Sequence, residues 1–324
     1  MQLASIQDFQ ALVTDDFQSV NVLIQEALQS KASIIKELGN YVIDSGGKRL
    51  RPLVVLLIAK ACAVTGEDYL KLAAIIELIH TATLLHDDVV DNAAIRRGKK
   101  TANTVWSNEA AVLVGDFLYS KTFQMLVNIG DERVMKVLAD ATNIMAEGEA
   151  FQLLQSHNTK ITEADYLYII RSKTAKLFEV SAQIAGISAK ISPEIEKALC
   201  TYGLHLGTAF QLMDDILDYD PLNATGKTAG NDLAEGKITL PLIYVLKNGH
   251  PEEIKIVEIA IQEGGYQHFS TVDEILKTHG AIEYTHALAK TEIMKAKEAL
   301  KSLKQSPYTE AAMVLADFAV ARYY

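Results

Sequence analysis

The sequence predicts an all-α protein, one large helical bundle. Three observations carry that prediction. Apolar residues recur three and four positions apart through almost every segment, the period of a helix. Several segments are apolar over most of their circumference, which suits helices inside a bundle. No period-two run of β-branched residues is convincing. Length alone suggests about two domains, but no Ser/Gly/Pro-rich linker divides the 324 residues, in which Gly (18) and Pro (6) are sparse. Residues 1–324 therefore read as a single domain.

The elements follow in order. "SVNVLIQEALQSKASIIKELGNYVI" alternates apolar stripes with Gln, Lys and Glu. "YLKLAAIIELIHTATLLHDDVV", "NEAAVLVGDFLYSKTFQMLVNI" and "ERVMKVLADATNIMAEGEAFQLLQ" are long and apolar nearly all round, as inner helices are. From about Pro251 to Tyr324 the pattern turns amphipathic, as in "ALAKTEIMKAKEALKSL", and suits outer helices. Turn signals separate these runs: "DSGGKRLRP" at 44–52, "RRGKKTAN" at 96–103, "ISPE" at 191–194 and "PLNATGKTAGNDLAEGK" at 221–237.

Composition narrows the function. A formal charge of −10 argues against nucleic acid as the main partner, because phosphate backbones reward basic faces. Cys62 and Cys200 lie far apart without metal-ligand spacing, so structural thiols of a reducing compartment are the expectation. The first residues lack a signal-peptide core, and the longest strongly apolar stretch, Leu53–Ala59, is far short of the ~20 residues that span a bilayer. A soluble, cytoplasmic protein is predicted.

Two acidic motifs stand out. "LLHDDVVD" at 84–91 and "LMDDILD" at 212–218 each close a strongly apolar helix with three aspartates. Residues four apart share a helical face, so Asp87 and Asp91 stack with Asp88 beside them, and Asp214, Asp215 and Asp218 repeat the pattern. Carboxylates so close need a counter-charge. Mg²⁺ suits them, since it takes one or two carboxylates together with waters and phosphate oxygens. A single DDxxD is as readily a solvated helix end. Two copies on otherwise buried helices argue for a site that holds several Mg²⁺ ions and a diphosphate between opposed faces.

Basic loops complete the pattern. "GGKRLRP" offers Lys48, Arg49 and Arg51 after a Gly pair, and "IRRGKK" follows the first acidic cluster by one turn. Arg suits bidentate phosphate binding and Lys a point-charge contact. Either segment alone would be an ordinary basic loop. Beside paired acid clusters, they imply two anionic groups, one held through metal and one held directly.

The sequence resembles the trans-polyprenyl diphosphate synthases over its whole length. "GGKRLRP", "LLHDDVVD…RRG", "SKTAKLF", "GTAFQLMDDILDY" and "GKTAGNDLAEGKITLP" occur in that family's order, and the text between them fits the long-chain bacterial members that make octaprenyl diphosphate. The resemblance implies the isoprenoid synthase-like fold, a large single-domain helical bundle around a central deep apolar cavity, and Mg²⁺-dependent head-to-tail condensation of isopentenyl diphosphate onto an allylic diphosphate such as farnesyl diphosphate. It implies that Lys48, Arg51, His80 and Arg97 bind isopentenyl diphosphate. Asp87, Asp88 or Asp91, with Asp214 and Asp218, would bind two or three Mg²⁺ ions. Arg96, Lys173, Lys227 and Lys237 would meet the allylic diphosphate, and Thr174 and Gln211 the developing allylic cation. A second copy of the chain is an implied partner, as is weak contact with a membrane at product release. The product would become a quinone side chain.

Each role has a plainer counterpart. His80 on an apolar helix would otherwise be a core histidine, although positions 80, 84, 87 and 91 share one face. Lys173 and Lys237 would be surface lysines and Gln211 a buried amide. Glu149 and Gln152 are further candidates for the cavity wall. One turn before Asp87, small Ala82 and Thr83 stand where short-chain family members carry bulky aromatics, so a growing chain can pass. Phe123, Met125 and Met135 on following helices are candidates for a floor, though in a bundle they are more often core. Other product lengths stay open. A terpene cyclase would not need the two basic loops, and a non-catalytic subunit of a heteromeric synthase would not keep both aspartate motifs intact.

Overall fold

The computed structural model describes residues 6–220 and 229–321. Their helices begin where local chemistry favours a start. Asp131 accepts the amides of Arg133 and Val134 at the head of Glu132–Gln155. Thr162 and Asp165 form a reciprocal capping box on Glu163–Ile170. Ser192 caps Pro193–Leu217, with the proline in the first turn, where its missing N–H costs nothing.

Two inner helices, Asp68–Val90 and Pro193–Leu217, carry the aspartate motifs at their C-terminal ends. Asp68–Val90 packs against Leu50–Ala61 and Asn108–Ile129, and Pro193–Leu217 against Lys176–Ser188 and Ala281–Leu300. Leu50–Ala61 and Lys176–Ser188 also meet, which joins the two halves around one apolar core. The second inner helix sits unusually close to its neighbour. A Cβ on Gly203 would lie 2.5 Å from the Glu179 Cα, so only glycine permits the approach.

The first inner helix is 23 residues long, about 34 Å at 1.5 Å per residue, which gives the bundle depth below the aspartates. Between Glu163–Ile170 and Lys176–Ser188 the chain makes a π-helical turn, Arg171–Ala175. Such a turn adds a residue to the helix and re-aims the side chains on it, often at functional sites. It carries Lys173 and Thr174.

Two details differ from the sequence reading. The segment read as a turn at 96–103 contains a two-stranded antiparallel ribbon pairing Ile95 with Lys100 and Arg96 with Lys99. Arg97 and Gly98 at its tip both have positive φ (53° and 73°), as a type I′ hairpin requires, and two-residue strands are too short to leave a period-two signal. Pro251–Glu263, Phe269–Thr278 and Ala281–Leu300 keep an exposed face, as the amphipathic pattern predicts, but Pro307–Ala321 is mostly buried, packs on Leu50–Ala61 and brings Phe318 and Ala321 to the cavity. Asn108–Ile129 and Glu132–Gln155, read as inner helices, each leave one face exposed.

Candidate active site

The helices leave a cavity of about 1190 Å³ between the aspartate ends. Helical spacing sets one wall: His80, Thr83, Leu84, Asp87 and Asp91 line it from the first inner helix. Phe210, Gln211, Asp214, Asp215 and Asp218 line it from the second. Lys48, Arg49, Arg51, Arg96, Arg97, Lys173 and Lys237 bring cations to the same space. The two acidic motifs therefore do face one cavity, with basic residues around it. Lys227 lies outside the described residues.

The carboxylates have distinct surroundings. Burial pushes Asp87 up to about 6; Lys173 opposes the shift, while Glu149 and Asp91 add to it. Lys173 Nζ lies 2.6 Å from Glu149, donates to Gln152 at 3.0 Å and stands 3.9 Å from Asp87. Lys237 joins the two sides of the mouth, 2.8 Å from Asp91 and 2.8 Å from Glu235. Burial alone would lower its pKa, but Asp91, Asp232 and Glu235 outweigh burial and raise it.

Asp215 is buried and accepts from Tyr166 Oη at 2.6 Å and from Gln211 Nε2 at 2.7 Å. Thr174 Oγ1 donates to Gln211 Oε1 at 2.8 Å, so one chain of hydrogen bonds links the π-turn to the second motif. Burial, and then Asp232, hold Asp215 well above the usual carboxylate range; its two donors pull the other way. Asp218 lines the cavity but spends acceptor capacity on the amides of Asn231 and Asp232, at 3.2 and 3.0 Å, anchoring the loop that carries Lys237.

Asp88 departs from the picture of a cluster facing one way. It is buried, paired with Arg96 Nε at 2.7 Å, and is not part of the cavity wall. Adjacent helical residues point about 100° apart, and here Asp88 turns away from Asp87 to meet Arg96.

The basic corner is built from two loops. Arg49 and Arg97 both adopt the left-handed region (φ 45° and 53°), which costs a non-glycine residue about 1–2 kcal/mol. Arg49 donates to Asn21 Oδ1 and Arg97 to the Gly46 carbonyl, which ties the ribbon to the "GGKRLRP" loop. The Arg97 guanidinium would stand 2.7 Å from a Cβ on Gly47, so a larger residue there would have to displace the tip of that side chain. Arg51 lies 3.2 Å from His80 Nε2 and 4.4 Å over the Phe178 ring. Burial first, then Arg51, Arg97 and Arg96, drive the His80 pKa well down, so it is neutral at pH 7. Lys48 sits over the Phe318 ring at 5.1 Å.

Of the chain-length candidates, Thr83 reaches the cavity and donates to the His80 carbonyl at 2.9 Å. Ala82 is fully buried beside it. Phe123 is 43% exposed on the outer face of its helix, and Met125 and Met135 pack on the general core; none of these three lines the cavity. Met145, Leu177 and Phe210 do, and went unremarked in the sequence because they look like ordinary core. Glu77 and Tyr166 were also missed. Glu77 lies three residues before His80, and that spacing was the available signal.

The donors fit a hard divalent cation. Asp87, Asp91, Asp214, Asp215 and Asp218 offer carboxylate oxygens to one cavity, with no thiol among its lining residues.

Paired aspartate helices over a deep cavity, faced by arginines and lysines, define a diphosphate-handling enzyme of all-α architecture. A sequence profile of the polyprenyl synthetase family matches residues 32–279, and the chain belongs to that family. It is a prenyltransferase. It is 45% identical to the octaprenyl diphosphate synthase of Escherichia coli (strain K12), over 98% of this chain and 99% of that one. The Haemophilus influenzae octaprenyl diphosphate synthase is 43% identical, over 99% and 98%. Among solved structures, a polyprenyl synthase from Caulobacter crescentus CB15 complexed with calcium and isoprenyl diphosphate superposes with a TM-score of 0.94. It shares 41% identity over 99% of both chains.

Proposed function

We propose that this protein is an all-trans octaprenyl diphosphate synthase. It adds isopentenyl diphosphate repeatedly to an allylic diphosphate such as farnesyl diphosphate, and its product becomes a quinone side chain. The observation that carries the reading is the opposition of two aspartate faces across one cavity with a separate arginine–histidine corner. Full-length identity to octaprenyl diphosphate synthases supports the chain length.

Asp87, Asp91 and Asp214, with Asp215 and Asp218, would hold Mg²⁺ against the allylic diphosphate. The bound metal neutralises that group and makes it a better leaving group. Lys173, Lys237 and Arg96 add positive charge at the same mouth, where low polarity strengthens every such contact. Lys48, Arg51, neutral His80 and Arg97 bind the second diphosphate directly. Thr174 and Gln211 keep their oxygens near the carbon that becomes cationic. Leu84, Met145, Leu177 and Phe210 exclude water, which would otherwise quench the cation. The double bond of isopentenyl diphosphate attacks the allylic carbon as the carbon–oxygen bond breaks. Loss of a proton to the departing diphosphate restores a double bond in a chain five carbons longer. No side-chain nucleophile is needed.

The enzyme works as a homodimer in the cytoplasm. Val112, Leu113, Phe123 and Val127 form an exposed apolar stripe on Asn108–Ile129 that a second copy would cover. Among the described residues no helix is long and apolar enough to cross a membrane. Mass spectrometry of the product from farnesyl and isopentenyl diphosphates with Mg²⁺ tests the reading. An eight-unit product is expected. Turnover of farnesyl diphosphate alone would instead indicate a cyclase.

A further inference from the structure

Away from the active-site cavity, the fold gathers a second set of metal-type donors. His250 immediately precedes the helix Pro251–Glu263, Glu253 lies in its first turn, and His279 immediately follows the helix Phe269–Thr278. One ligand atom from each of the three comes within 4.8 Å of the others. His279 Nε2 and Glu253 Oε2 are 2.6 Å apart, and the His250 amide donates to the same Oε2 at 3.2 Å. The two imidazoles meet edge to face, 5.4 Å between centroids at 63°, rather than stacking. None of the three residues lines the active-site cavity.

The donor types and their spacing select a cation. Two imidazole nitrogens and one carboxylate oxygen suit zinc and its transition-series neighbours, whereas Mg²⁺ prefers oxygen alone. Donors about 2.0–2.1 Å from a tetrahedral zinc ion stand roughly 3.4 Å from one another. The present separations, 2.6 Å for one pair and at most 4.8 Å for the rest, need side-chain shifts of about 1 Å to close on one ion. The His250 amide already orients the Glu253 carboxylate, as outer contacts orient metal ligands. A hydrogen-bonded pair needs only His279 and Glu253. His250 adds a third donor, on the solvent side from which an ion arrives.

We propose that His250, Glu253 and His279 form a binding site for a zinc-type divalent cation, with water completing its coordination. The ion clasps the open end of a helical hairpin. Pro251–Glu263 and Phe269–Thr278 are joined through residues 264–268, and this closed end leans on the segment that leads to Lys237. There Gly265 donates its amide to the Ala234 carbonyl at 3.0 Å, and the Phe269 ring stacks on Tyr219 at 6.2 Å. At the open end, the metal replaces the Glu253–His279 hydrogen bond, which spans 26 positions, with bonds from three residues to one ion. The site is separate from the aspartate motifs and does not depend on the synthase reading.

Isothermal titration of the full-length protein with Zn²⁺, in excess Mg²⁺, tests the site. His279→Ala and, separately, His250→Ala should each weaken zinc binding at it by at least about a hundred-fold. The second variant leaves the Glu253–His279 hydrogen bond in place, so the hairpin keeps its own contact. The histidine-dependent site should persist in Asp87→Ala, which removes a carboxylate of the competing site. Zinc at about a hundred times its Kd should raise the melting temperature of the parent by about 4 °C more than that of His250→Ala.

A parent protein that binds no zinc would overturn the proposal. So would zinc binding that survives unchanged in both histidine variants, and its loss in Asp87→Ala would then place the ion on the aspartates. Equal zinc-induced shifts of melting temperature in the parent and His250→Ala would overturn it as well.

Discussion

Replacing Tyr166 by Phe removes one hydroxyl and little else. That hydroxyl donates to the buried Asp215 carboxyl at 2.6 Å, and Gln211 supplies the other donor at 2.7 Å. A hydrogen bond contributes about 0.5–1.5 kcal/mol net, and leaving a buried acceptor without its donor costs about 1–3 kcal/mol. Unfolding entropy is about 2.1 cal/mol/K per residue, so 324 residues give about 0.7 kcal/mol/K. A loss of about 2 kcal/mol therefore lowers the melting temperature by about 3 °C. Asp215 is already held high by burial and Asp232, and loss of a donor favours its protonated form further. The variant should thus need more Mg²⁺ for half-maximal turnover. Thermal unfolding and a Mg²⁺ titration of product formation check both parts. A melting temperature within about 1 °C of the parent, with an unchanged Mg²⁺ requirement, would refute the idea that Tyr166 holds Asp215.

Three further outcomes are expected. Asp87→Ala and Asp214→Ala should each reduce turnover about a thousand-fold, measured by isopentenyl diphosphate incorporation; near-normal rates would sink the metal assignment. Thr83→Tyr should fill the wall one turn below Asp87 and shorten the product, read by mass spectrometry, and an unchanged length would remove Thr83 as a gate. His80 has a folded pKa well below its ordinary 6.5, so as pH falls through 6.5 the unfolded chain binds a proton that the folded chain refuses. Stability is lost on the acid side of 6.5, at up to about 1.4 kcal/mol per pH unit from this one group. Urea unfolding of His80→Asn between pH 5 and 7 should show a correspondingly flatter decline than the parent.

Much of the site is legible in the sequence because its ligands sit on long helices. The spacing of His80, Leu84, Asp87 and Asp91 fixes a common face whatever surrounds it, and all four line the cavity. The same rule separates Asp88 from Asp87, yet composition made the cluster look like a unit; its pairing with Arg96 needed the ribbon to fold back. Phe123 reads as a cavity floor only if its helix turns that face inward, and it does not. Glu77 and Tyr166 carry no motif of their own. One looks like a stray acid on a core helix and the other like a core aromatic, until neighbours from other elements define them.

By itself, the sequence determined the all-α class and the two acidic and two basic segments, because helical period, capping and turn chemistry act over a few residues. Which helices lie inside was only partly legible: Asn108–Ile129 leaves a face exposed and Pro307–Ala321 is mostly buried. Tertiary structure decided which groups meet. Lys237 reaches Asp91 across 146 positions, Tyr166 reaches Asp215 across 49, and the π-turn aims Lys173 towards Asp87 and Thr174 at Gln211. Such pairings depend on how helices cross and rotate against one another, and on burial, which together with the charges gathered around Asp87, Asp215 and His80 alters their proton affinities.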